Sequence, residues 1–148
     1  MREPPDDESV HRIERVELLI RRLGAATTMD DAAALIARFL PDIAGGGSAI
    51  LFQAGADGRL PAEAPDIAGA AQAEGVARPV DHWSRVALPL RAGDRSLGVV
   101  VVRSPGMRTL VEEERQLLFL FAEHAGSALR RLAPDAAPAE PAAEAQTG

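Results

Sequence analysis

The chain of 148 residues has no cysteine. That absence removes disulfides, thiolate nucleophiles, thiol redox chemistry and cysteine-anchored metals or chromophores. Lysine and asparagine are absent too, so all 16 basic side chains are arginine. No apolar run approaches the roughly 20 residues that span a bilayer, and the opening MREPPDDESV lacks the apolar segment of a secretory signal. A cytoplasmic location is therefore expected. A formal net charge of -6 opposes attraction to phosphates and anionic lipid, so neither nucleic acid nor membrane is an expected partner. The histidines, His11, His82 and His124, lie far apart without the H-x-H or H-E-x-x-H spacing that puts two imidazoles on one metal, and no metal site is expected. Ser84, Ser96, Ser104 and Ser127 lack a G-x-S-x-G elbow, and the glycines at 45 to 47 lack the Gly-Lys-Ser/Thr of a phosphate cradle. Catalytic residues are expected to be none.

What is present reads as one α+β unit. Residues 1–8 are acidic and carry Pro4 and Pro5, and residues 134–148 consist of Ala, Pro, Glu and small polar residues; both tails are expected to be disordered, leaving a domain at 9–133. Val10, Ile13, Val16, Ile20 and Leu23 recur at helical spacing, with Gly24 placed to end that helix. Thr28 and Asp31 mark the start of a second helix, whose stripe of Leu35, Ile36, Phe39, Leu40 and Ile43 stops near Gly45. Ser48 to Gln53 reads as a central strand entering a hairpin at Asp57 and Gly58, with a truncated partner. Ile67 to Glu74 suggests a short helix. Ala77 to Val80 suggests a strand that Pro79 confines to an edge.

The stretch Arg85 to Leu132 has the plainest pattern. Val86, Leu88 and Leu90 alternate, Ala92, Gly93 and Asp94 turn the chain, and Leu97, Val99 and Val101 run back. Thr109 and Glu112 then stand in the Ser/Thr-x-x-Glu arrangement of a helix start, followed by a long apolar helix. The series Leu88, Pro89, Leu90, Gly93, Leu97 and Gly98, then Leu117, Leu118, Ala122, Ala128 and Leu129, resembles the second half of a GAF domain. The resemblance extends over about residues 10 to 133. It implies a central antiparallel sheet with the N- and C-terminal helices packed on one face, here with an abbreviated middle segment.

The resemblance also implies where ligands sit, between the sheet and the short middle elements. On that basis Phe52, His82, Trp83 and Arg85 are the expected ligand-binding residues, the indole and guanidinium being suited to a flat or anionic small molecule. No cofactor is expected, although His82 would be the axial residue if the chain were a haem-binding gas sensor. Leu117 to Ala122 is apolar at six consecutive positions, more than one sheet-facing stripe requires, so Phe119, Leu120 and Ala128 are expected to join Val16, Leu19 and Leu23 of the first helix in a homodimer seam. The expected function is a noncatalytic sensory or regulatory module of signal transduction, acting on a separate signalling protein. A ligand-free dimerisation or scaffold protein is the alternative.

Overall fold

In the computed structural model of the protein, residues 7–132 are described. The sequence signals become α1 (Asp7–Ala25), α2 (Met29–Ile43), β1 (Ser48–Gln53), α3 (Asp66–Glu74), β2 (Arg78–Val80), β3 (Arg85–Ala92), β4 (Arg95–Arg103) and α4 (Glu112–Leu129). Residues 7 and 8, expected in the N-terminal tail, belong to α1. The rest of that tail and residues 134–148 lie outside the described residues. At α2 the Thr28 hydroxyl accepts the Asp31 N–H at 3.0 Å, satisfying one of the amides a helix start leaves open. The α4 start falls two residues beyond Thr109. Its cap is Val111, whose N–H donates to the Glu114 carboxylate at 2.9 Å, because Glu114 is the acid three residues into the helix from that position.

The four strands run antiparallel in the order β1-β4-β3-β2. Contrary to the expectation of a central strand entering a hairpin, β1 lies at an edge and pairs with β4, Ser48 opposite Arg103 and Gln53 opposite Gly98. The Val-rich β4 is the strand flanked on both sides by β1 and β3, so its two apolar faces suit a position buried above and below. At the other edge β2 carries Pro79, whose missing N–H an edge tolerates.

Strand alternation divides the core. Leu51, Val86, Leu88, Leu90, Val100 and Val102 face the layer built from α2 and α4, and meet Ile36, Leu40, Leu118 and Phe121 in one cluster. Helix α1 packs on α2 and α4. Ala87 and Val99 point the other way, onto Ala68 and Ala71 of α3. The terminal helices thus share one side of the sheet, and the short middle helix covers the other.

Candidate functional site

The loop between β2 and β3 has to reverse the chain within the residues that separate Val80 from Arg85, which are directly paired. It does so through three successive left-handed residues, Asp81, His82 and Trp83, with φ of 53°, 56° and 65°, closed by the Ser84 N–H donating to the Asp81 carbonyl at 3.1 Å. Such conformations cost non-glycine residues about 1–3 kcal/mol each and persist only where surroundings enforce them. Here the surroundings are specific. The Trp83 carbonyl accepts the Leu110 N–H at 2.9 Å, and the Ser84 carbonyl accepts the Ser104 N–H at 2.9 Å and its hydroxyl at 3.1 Å. The indole meets the edge of Phe119 at 5.9 Å between centroids and lies under the Arg115 guanidinium at 4.9 Å. Trp83 therefore fastens the β2–β3 turn to α4.

This arrangement disperses the expected ligand-binding residues. Trp83 packs with the α2–α4 side of the core, whereas Arg85 shares its sheet face with Ala87 and hence with α3. Phe52 sits on the edge strand β1 opposite Val99, which in turn pairs with Pro89. Arg85 is four residues along β3 from Pro89, so Phe52 and Arg85 are separated by about 13 Å along the strands and about 10 Å across them. His82 is exposed at the turn. None of the five main surface grooves, of about 210 to 670 Å³, is lined by Phe52, His82, Trp83 or Arg85. On the α3 side, Ala68, Ala71, Ala87 and Val99 are all fully buried against one another, so the abbreviated middle segment seats directly on the sheet.

The expected seam also separates. Val16, Leu19 and Leu23 are 1%, 1% and 0% exposed within this single chain, because they are the stripe by which α1 packs on α2 and α4. They are core, not seam. Phe119 remains 41% exposed and lines a groove of about 290 Å³ beside Val76 and Pro89, while Leu120, one residue and about 100° further round the helix, is half-buried. Ala128 is half-buried near the end of α4. On α1, Ile13 is 44% exposed and Ile20 half-buried.

Sequence reasoning missed the ionic hub that joins these helices. Glu114 is buried and receives Arg108 in a two-pronged contact, Nη1 to Oε1 at 3.0 Å and Nη2 to Oε2 at 2.8 Å. Arg108 Nη2 also donates to the Ala44 carbonyl at the end of α2, at 3.1 Å, and Arg12 of α1 stands 3.8 Å from Glu114 and 3.3 Å from Glu113. Gly45, at φ +79°, leaves the room: a Cβ there would collide with Arg108 and Glu114. Burial alone would raise the Glu114 pKa, but hydrogen bonds from Arg108 and Val111, with the charges of Arg108 and Arg12, outweigh it and hold the carboxyl below its ordinary value. The sequence signal was the Glu three residues after Val111, hidden beside Glu112 and Glu113.

Among the described residues no cluster of three His, Asp or Glu side chains is arranged to hold a metal, and no helix is long and apolar enough to cross a membrane. The fold, a four-stranded antiparallel sheet with the terminal helices on one side and a short helix on the other, is GAF-like. Residues 63–131 match the family model described as GAF domain. It is similar to the crystal structure of the GAF domain of the potassium sensor histidine kinase KdpD from Escherichia coli, at 22% identity and a TM-score of 0.66, over 80% of this chain and 92% of that one. No curated protein matches.

Proposed function

We propose that this protein is a noncatalytic GAF-type regulatory module of cytoplasmic signal transduction that works by association through the outer faces of α1 and α4. GAF domains often serve in sensing and signalling, and the similar domain of known structure belongs to a sensor kinase. The observation that carries the reading is the outer helix pair. Ile13 and Ile20 on α1 and Leu120 on α4 remain partly uncovered beside the buried stripes that hold the two helices together. A second copy of the chain is the proposed partner, and a separate signalling protein would read the state of the pair. The direct seating of α3 on the sheet favours association over enclosure of a ligand at that face.

Light scattering coupled to size-exclusion chromatography tests this. The expected result is a dimer that Leu120→Arg converts to monomer with the fold intact. A monomeric wild type, unchanged by the substitution, would overturn the proposal. In parallel, a metabolite panel should leave Trp83 fluorescence unaltered, since the ring is occupied by Phe119 and Arg115.

A further inference from the structure

Gly126 lets α4 approach the sheet closely. A Cβ at this position would run into the Arg91 carbonyl group, its oxygen first and its carbon at 2.7 Å, so only glycine allows α4 to lie against the backbone at the end of β3. That approach brings the next turns of α4 over the β3–β4 hairpin. Between them is a groove of about 670 Å³, within the range of small-molecule sites. Arg95 enters it from the hairpin, Ser127, Arg130 and Arg131 from the helix end, and Leu97 and Ala128 supply apolar lining.

Among the described residues no carboxylate lines this groove. Arg131 is held in place by its Nη2 donating to the carbonyls of Leu23, at 3.1 Å, and Gly24, neutral acceptors that leave its charge uncompensated. Arg130 is exposed and Arg95 half-buried, and among the described residues neither has an ion pair or a side-chain hydrogen bond. Asp57 and Asp94 line the neighbouring groove on the far side of Arg95. Guanidinium groups that line one groove repel one another, and an anion held between them would relieve that repulsion. Capping of the α4 end accounts for Arg130 and Arg131 but not for Arg95, which is on a strand.

We propose that this groove binds a small organic oxyanion, a phosphate or carboxylate carried on an apolar body. Arg95 and Arg130 contact the anion through paired N–H donors, the Ser127 hydroxyl adds a neutral donor, and Leu97 and Ala128 receive the body. The site lies at the end of the helix through which association is proposed, so it supplies the sensory part of that reading with a ligand class. It depends on that reading for its purpose, not for its chemistry.

The test is a ¹H–¹⁵N correlation titration of the full chain with phenyl phosphate and, separately, benzoate at constant ionic strength. Saturable shifts at the amides of Arg95, Ser127 and Arg130 are expected, weakened about tenfold or more by Arg95→Gln with Arg130→Gln and unchanged by Arg21→Gln. Arg130→Gln alone, at an exposed position, should weaken binding with an unaltered spectrum elsewhere. Tighter phenyl phosphate assigns the phosphate class and tighter benzoate the carboxylate class; either upholds the site. Absence of saturable shifts with both, or shifts that survive the double substitution, would overturn it. The shifts are local to the groove, so a monomeric wild type that still binds would sink only the association reading.

Discussion

Glu114→Gln should be among the most damaging single changes outside the apolar core. It keeps the shape of the side chain and removes its charge. The carboxylate is 3% exposed and accepts two hydrogen bonds from Arg108 and one from Val111, with Arg12 3.8 Å away. An amide accepts at one oxygen only and turns its NH₂ toward a guanidinium donor. Breaking a buried ion pair by removing one partner costs about 3–5 kcal/mol, and the 38% exposure of the Arg108 side chain argues for the lower end, about 3 kcal/mol. For a chain of this length that is a fall in midpoint of about 9 °C. Calorimetry at neutral pH measures it. The pH dependence provides a second check. Because the folded Glu114 pKa lies below its ordinary value of about 4.3, the carboxylate contributes its full stabilisation above the unfolded pKa and loses it as pH falls through the folded one. The gap between wild type and Glu114→Gln should therefore be widest near neutrality and narrow below about pH 4.3. A difference of less than about 2 °C at neutral pH, or a gap that acid does not narrow, would refute the hub as a stabilising ion pair.

Other substitutions should differ in sign as the surroundings dictate. Gly126→Ala, although a better helix former, should destabilise by about 2–3 kcal/mol because its Cβ meets the Arg91 backbone, whereas Gly69→Ala, in the middle of α3 with nothing within 4 Å, should stabilise by about 0.5–1 kcal/mol. Thermal melts of the two variants would expose an error if both moved the same way. His82→Gly, at an exposed left-handed position, should raise stability by about 0.5–1 kcal/mol in urea titration, and a loss would mean that the imidazole has an undetected role.

Much of the architecture was legible because it is local. The stripes of α1 and α2, the Thr28 cap, the Gly93 turn and the alternation of β3 are written in spacings of two to four residues. What required coordinates was non-local. β1 has the composition of an interior strand, but its pairing with β4, some fifty residues later, makes it an edge. The stripe of Val16, Leu19 and Leu23 announces that α1 is covered without saying by what; α2 and α4 of the same chain cover it. His82, Trp83 and Arg85 are neighbours in sequence, yet a left-handed turn and strand alternation send their side chains apart. Arg130 reads from the sequence as a cation at a helix end and Arg95 as a strand residue, and neither belongs to a motif. Only the close approach permitted by Gly126 brings them to one groove.

The association reading meets its most direct test in the solution mass of the chain. At micromolar concentration, multi-angle light scattering should give twice the 15.6 kDa of one chain, falling to 15.6 kDa for Leu120→Arg with unchanged secondary structure. A wild-type mass of 15.6 kDa that the substitution does not alter would contradict it.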